Sequence, residues 1–588
     1  MFKARFLGLI CLAIFFASIC PIFPQASSHL LLDYDSETGD FTYLNNSLGT
    51  DIFYAAGYLG KNTIVANVEA GLIWYDHDAF NRPPDATSTF FAFDNPEILN
   101  DEIDYHATMV GHVLAGSGYV ADSDPAQFYY VGIGMAPYAS IWSASVATEF
   151  SGTNLGAFEI TDASTIAAYE AFFNGISGER PDVINSSWGG SDPAGTETTT
   201  IAIDGLARQN SAVAFVVSAG NSGTATVGGP GSGYNNITVG SVGGANLLAP
   251  SDFSSRGLAD FYNPDTLETL TGVRVAVDLA APGENLVLAA YLGDSGSLGA
   301  STDPEIAGIV QEPSPGDLYF TSVDGTSFSA PIVSGGIALL KDVAKSPTYA
   351  AEMGTESLDT RVIKSVLMAS ARETIGWNNG QTVNGSGVTV TTQALDLATG
   401  AGALDLENAA TTYVGGTTDV AGSLGGNILA SGWDFGAVGL GLSNDYLFDN
   451  PFADEVELTA SLNWFVGRSF DNETDVGANL SFADLNLQVW QYIDGMPSQL
   501  IAESITTYNN TEYLRITLTT PGLYGLSVVF EQMIYDLSPE SVTSETYGLA
   551  WQAKTVPEPS TLLLVICFGF ALVIRSSRQR SDSHPSRQ

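Results

Sequence analysis

From about Gly60 to Ala410 the chain alternates short apolar runs with longer Ala-rich stretches, in the order NTIVANV, ATMVGHVLAG, ASIWSASV, STIAAYEAFFNGI, PDVINSSW, AVAFVVSAG. Runs of this length bounded by helix-compatible segments predict an α/β domain, with helices packed on a mostly parallel central sheet. Beyond about Thr411 the texture changes to period-two segments, VELTASLNWFV, LSFADLNLQVWQY and YLRITLTTPGLYGLSVVF, broken by Gly, Asn and Pro. Those predict an all-β sandwich following the α/β domain.

The chain divides on these grounds into a signal peptide over 1–26, a short extension over 27–51, the α/β domain over 52–410, a Gly/Thr-rich linker over 411–425 and the sandwich over 426–554. The signal peptide is read from Lys3 and Arg5, the apolar run Phe6 to Ile19 and the small residues Ala26 to Ser28. At the other end, Pro557, Glu558 and Pro559 precede an apolar run from Leu562 to Ile574, then Arg575, Arg578 and Arg580. The basic residues predict a cytoplasmic end for a transient inner-membrane anchor over 556–580, with a cytoplasmic tail over 581–588. The alternative is a permanent anchor, although the run is short against the ~20 residues a spanning helix needs. This tripartite tail resembles the PEP-CTERM sorting signal of Gram-negative bacteria. The resemblance implies export to the cell envelope or beyond, with an exosortase-type enzyme as a partner that removes the tail.

Cys11, Cys20 and Cys567 all fall in the two terminal segments, so the predicted mature chain carries neither a disulfide nor a thiol nucleophile. The formal charge of −45, with only 20 Lys and Arg in 588 residues, argues against a nucleic-acid partner, since phosphate contacts need clustered cations.

Catalytic groups in an open parallel sheet sit where strands end and helices begin. Four such places carry chemistry: Glu69 in VANVEAG, His106 in DYHATMVGHVLAG, Asn221 in FVVSAGNSG and Ser327 in DGTSFSAPIVSGGIALL. A serine hydroxyl needs a neutral imidazole to take its proton, and the imidazole needs an acid to hold its tautomer. An Asn amide and a helix-start N–H can together hold an oxyanion. Each residue alone has a plainer reading: Ser327 as an N-cap, His106 as a helix-start polar group, Asn221 as a turn residue, Glu69 as a solvated strand end.

Together, in the order acid, His, Asn, Ser, they resemble the subtilisin-like serine peptidases. GTSFSAP is close to that family's nucleophile motif, HATMVGH to its histidine motif and SAGNSG to its oxyanion-hole segment. The resemblance implies a three-layer subtilisin-like domain acting as a secreted endopeptidase on peptide or protein substrates. Ser327 would be the nucleophile, His106 the base and Asn221 the oxyanion donor, with His112 a bystander. INSSWGG is similar to the family's substrate-binding strand, which assigns Ser187, Trp188 and Gly189 to the subsites; Trp188 would narrow S4 or alter the S1 rim. FSSRG and DLAAPG resemble two further landmarks, and LDLENAA the closing helix.

The first motif departs from the family's pattern, because Glu69 stands where an Asp is usual. Glu has the same charge on one more methylene, so it can accept the His106 Nδ1–H bond if the strand end or rotamer retreats by about a bond length. Asp76, Asp78 and Asp104 are the alternative acids. The runner-up function is an inactive or weakly active relative that binds peptides at the cell surface. A sedolisin-type peptidase also uses Glu and a GTS motif but lacks the HATMV and Asn221 elements.

No cofactor is required by this chemistry. Structural calcium is implied by the family, but no spaced ligand set assigns it, and His77 in WYDHDAF is expected to lie in a solvated loop rather than to bind metal. The extension before Gly60 is short for a folded propeptide. The sandwich resembles modules appended to secreted peptidases, with substrate or surface binding, or stabilisation of the catalytic domain, as its expected roles.

Overall fold

The computed structural model describes residues 29–30, 32–34, 41–84, 86–121, 128–150, 158–291, 309–310, 319–416 and 425–556. The signal peptide, almost all of the PEP-CTERM segment, the tail and all three cysteines lie outside the described residues, as does half of the linker. Among the described residues no helix is long and apolar enough to cross a membrane.

The α/β domain runs β1 (Ile64–Glu69), β2 (Phe90–Ala92), α1 (Tyr105–Ala115), β3 (Ser140–Ser145), α2 (Asp162–Asn174), β4 (Val183–Ser186), α3 (Thr198–Gln209) and β5 (Ala214–Ser218). It continues through β6 (Ile237–Gly243), β7 (Ala249–Pro250), β8 (Leu279–Pro282), α4 (Thr326–Lys345), α5 (Thr360–Ser370) and α6 (Leu406–Gly415). The central sheet has the order β7-β6-β5-β4-β1-β3-β2 with β8 also on β6, and only the short β7 pairs antiparallel. The subtilisin-like fold class, a mostly parallel sheet followed by a β-rich region, is therefore present.

Side-chain parity along the strands sorts the two cores. Val65, Val183 and Val216 pack with Val110 and Val113 of α1 and with Ile332 and Val333 of α4. Ala66, Val68, Ile184 and Phe215 face the other way, onto Ile166 and Phe172 of α2 and Ile203 and Leu206 of α3. Each such large apolar side chain contributes roughly 1.5–3 kcal/mol on burial. A period of two then puts Asn67 and Glu69 on the α1/α4 face with Val65, which is where His106 and Ser327 begin their helices.

The C-terminal region comprises β9 (Gly425–Ile428), β10 (Ser431–Gly439), β11 (Ser443–Phe448), β12 (Val456–Trp464), β13 (Gly467–Asp471), β14 (Val476–Ile493), β15 (Met496–Ser504), β16 (Thr511–Leu518), β17 (Leu523–Asp536) and β18 (Ser544–Thr555). One sheet is β10-β18-β12-β16; the other centres on β15-β14-β17-β11-β9. Leu458, Leu462, Leu485, Leu487, Val528 and Leu549 fill the space between them.

The boundary in sequence is not a boundary in space. The hairpin of Thr382–Val383 and Thr389–Thr391, which precedes the expected boundary, joins the sandwich sheet by parallel pairing with β15. Helix α5 lies on the other sheet, where Ser365 Oγ donates to Gly548 O (2.8 Å) and Thr459 Oγ donates to Ala369 O (2.6 Å). Gly548 permits this approach, because a Cβ there would strike the Arg361 backbone. The N-terminal extension is also paired: Leu32–Tyr34 bonds Phe41–Tyr43 and meets Leu286.

Candidate active site

The site lies at the carboxyl edge of the sheet, where parallel sheets of this kind bind their ligands. Glu69 ends β1, Ser187 follows β4 and Asn221 lies just beyond β5. After Glu69 the chain turns through Gly71, where a Cβ would meet Glu102 O at 2.6 Å and Asp104 Cβ at 2.7 Å. That close approach lets Leu72 pair with the segment just before α1, Leu72 N–H donating to Glu102 O (2.7 Å) and Asp104 N–H to Leu72 O (2.9 Å). Asp104 then caps α1 by accepting the Ala107 N–H at 3.1 Å, and His106 emerges in the first turn.

Glu69 is almost completely buried, and both its oxygens are engaged. Oε2 accepts His106 Nδ1–H at 3.0 Å, and Oε1 accepts the Ser187 N–H at 2.7 Å. Of the carboxylates considered for this role, Glu69 is the one bonded to the imidazole. Asp76 is exposed, Asp78 accepts from Asn81 Nδ2 (2.9 Å) and Asp104 serves as the helix cap. Burial of the His106 ring pulls its pKa down, but the charge and hydrogen bond of Glu69, with the more distant charge of Asp104, outweigh it. The net direction is upward from the ordinary 6.5.

Ser327 occupies the first turn of α4, where the backbone N–H groups lack intrahelical acceptors. It is tied to Ser187 in both directions. The Ser327 hydroxyl donates to Ser187 O at 3.2 Å, and the Ser187 hydroxyl donates to Ser327 O at 2.8 Å. The Ser327 hydroxyl thus has the Ser187 carbonyl as its acceptor, and no hydrogen bond joins it to His106. Phe328 packs against the His106 ring at 5.9 Å between centroids.

Asn221 has its amide orientation set by Thr326. The Thr326 N–H and Oγ–H both donate to Asn221 Oδ1 at 2.9 Å, while Thr326 Oγ accepts the Gly220 N–H at 3.1 Å. A backbone N–H can only donate, so the oxygen must face Thr326 and the Nδ2 donors are turned the other way. Sequence reasoning missed Thr326, although it sits inside the GTS triplet. It also missed the polar ladder beneath the site, in which Asn185 Nδ2 donates to Ser187 Oγ (3.0 Å) and Ser334 Oγ donates to Asn185 Oδ1 (3.0 Å).

Ser187, Trp188, Gly189, Asn221 and Ser327 line one cavity of about 540 Å³, whose far walls are Gly190–Pro193 and Ala225–Gly228. Trp188 stands on its rim, half-buried against the α2/α3 core.

The other histidines lie elsewhere. His112 is buried, donating from Nε2 to Gly132 O (2.6 Å) and accepting the Ala289 N–H at Nδ1 (3.0 Å); burial pushes its pKa down to about 4. His77, expected in a solvated loop, is instead fully buried. Its Nδ1 accepts the Ala79 N–H at 3.0 Å, and its ring packs edge-on against Trp74 and Tyr319, because the aromatic residues of WYDHDAF fold inward. Among the described residues no three His, Cys, Asp or Glu side chains gather where they could hold a metal ion.

Bacillopeptidase F of Bacillus subtilis (strain 168) is 25% identical over 307 residues, which is 50% of this chain and 18% of that protein, so the chain spans under a fifth of that relative. Among solved structures, the prenylagaramide maturation protease PagA matches at a TM-score of 0.41 and 20% identity, over 63% of this chain and 99% of that one. The patellamide maturation protease PatA matches at 0.38 and 20%, over 60% and 98%. The model of the Subtilase family matches residues 60–402, more than half of the sequence, and the protein belongs to that family of serine peptidases.

Proposed function

We propose that this protein is an exported serine endopeptidase in which Glu69 does the work of the usual Asp. Ser327 Oγ attacks the scissile carbonyl and His106 takes its proton, later giving it to the leaving amine. Glu69 holds the Nδ1–H tautomer and stabilises the imidazolium, while Asn221 Nδ2 and the Ser327 N–H receive the oxyanion. The observation that carries this reading is the double engagement of the buried Glu69 carboxylate, one oxygen on His106 and the other on the Ser187 N–H. Any buried carboxylate needs partners, and here one of them is the Nδ1 side of the imidazole, the contact an orienting acid has to make.

The cavity beside Ser327 is read as S1, with Ser187, Trp188 and Gly189 along its rim. Export rests on the N-terminal apolar segment, and envelope sorting by an exosortase-type partner rests on the Pro-Glu-Pro tail; both are read from sequence. Structural calcium stays a family-derived proposal without assigned ligands.

The second reading, a peptide-binding relative without turnover, draws on the Ser327 hydroxyl facing Ser187 rather than His106. Fluorophosphonate labelling separates the two. Stoichiometric modification at Ser327, abolished by replacing His106, is expected of the peptidase. A folded protein that binds peptides yet never labels would establish the other.

A further inference from the structure

The two loops that wall the cavity, 189–197 and 225–236, meet each other through glycine. Gly190 N–H donates to Gly229 O at 2.8 Å, and a Cβ on Gly228 would strike Gly190 O. Behind the cavity both loops reach the same guanidinium. Arg468 of β13 donates from Nη2 to Gly195 O (2.7 Å), holding the end of the first loop. From Nη1 it donates to Asp204 Oδ2 (2.9 Å).

Asp204 in turn holds the second loop, its carboxylate accepting the Tyr234 N–H (2.8 Å) and the Asn235 N–H (3.1 Å). The third Arg468 donor is fixed within the sandwich, Nε to Asn479 Oδ1 at 3.0 Å. The ion pair is nearly inaccessible, at 3% and 1% side-chain exposure. A planar fork with each arm on a different partner fixes the distance between those partners.

The sandwich grips the second loop again. Asn235 accepts the Val466 N–H at Oδ1 (2.8 Å) and donates to Val466 O (3.0 Å), and Asn510 Nδ2 donates to Tyr234 O (2.9 Å). Tyr234 also lies under the Arg468 guanidinium, 5.0 Å from ring centroid to Cζ.

We propose that Arg468, supplied by the β-sandwich, is a positioning residue for substrate selection: it sets the separation of the two loops that wall the cavity beside Ser327, so the sandwich helps to define which P1 side chain is accepted. This rests on the reading of that cavity as S1.

The test compares wild type with Arg468→Gln and Arg468→Lys, measuring kcat and KM over peptides that vary only at P1, with fluorophosphonate labelling of Ser327 as the count of intact sites. Arg468→Gln is expected to change the relative kcat/KM among P1 residues by about tenfold, mainly through KM, while the labelling rate stays near wild type. Arg468→Lys should restore part of the profile, since it keeps the charge but not the fork. An unchanged P1 profile, or a uniform loss for every peptide, in a folded and labelling protein would overturn the proposal. Failure of the wild type to label would count against the peptidase reading instead.

Should Arg468→Gln not fold, amide exchange in the wild type decides. A peptide aldehyde with a large P1 residue, which is held at Ser327 without being cleaved, should slow exchange at Val466 and Tyr234 relative to the same aldehyde with Gly at P1, because coupling between the cavity and the sandwich is reciprocal. Equal exchange with both aldehydes would defeat the idea.

Discussion

The Ser187 N–H donates to Glu69 Oε1 at 2.7 Å, so the carboxylate that meets His106 is anchored from the neighbouring strand by its second oxygen. In the proposed triad, this relationship accommodates the longer acid. The extra methylene of Glu would leave the carboxylate free to rotate, and the β4 strand end removes that freedom by holding one oxygen in place. Oε2 is thereby left to His106 Nδ1–H.

Glu69→Gln should lower kcat by about 10⁴, because the amide can present an N–H to Nδ1, favour the wrong tautomer and offer no charge to the imidazolium. Glu69→Asp should also fall below wild type, since the shorter arm cannot reach both His106 and the Ser187 N–H. Steady-state kinetics on a single peptide would decide; an Asp variant faster than wild type would show that the site merely tolerates Glu.

The pH profile follows from the same contact. His106 acts as a base only when neutral, and Glu69 raises its pKa above 6.5, so kcat/KM should fall with decreasing pH along an acid limb centred above that value. In Glu69→Gln the effect of burial is opposed only by the distant Asp104, and the limb should move to lower pH. A limb at the same pH in both proteins would assign it to another group.

Asn221→Ala should cost about 10²–10³ in kcat with KM little changed, the loss expected for one oxyanion donor. Thr326→Val should produce a smaller loss of the same kind, because it removes one of the two bonds that turn the Asn221 amide outward. A Thr326→Val effect confined to KM would point instead to a role in substrate contact.

His112 predicts acid sensitivity of the fold. It stays neutral in the native state down to about 4 but protonates near 6.5 when unfolded, so the unfolded chain binds more protons in that window. Stability should therefore decrease as pH drops from about 6.5 to about 4, by roughly 3 kcal/mol from this group. Denaturant titrations of wild type and His112→Gln across that range should converge toward acid pH.

Trp188→Leu should broaden the side chains accepted beside the cavity, because the indole stands on its rim. A peptide library with no altered preference would remove Trp188 from the specificity determinants.

The alternation of NTIVANV, PDVINSSW and AVAFVVSAG with Ala-rich helices was enough to determine a mostly parallel sheet, because strands covered on both faces have little choice but apolar composition. The same local logic determined where Glu69, Asn221, His106 and Ser327 would sit, since each lies at a strand end or helix start that its own neighbours define. The period-two strands beyond Thr411 likewise announced a sandwich.

What the sequence could not decide is everything that depends on distant segments meeting. The hydrogen bond between Glu69 and His106, the reciprocal Ser187–Ser327 bonds and the burial of His77 come from packing between elements far apart in the chain. Most clearly, Arg468 and Asp204 are 264 residues apart and carry no motif. A single ion pair has no periodicity to betray it, and only the docking of the sandwich against α3 brings its halves within hydrogen-bonding distance.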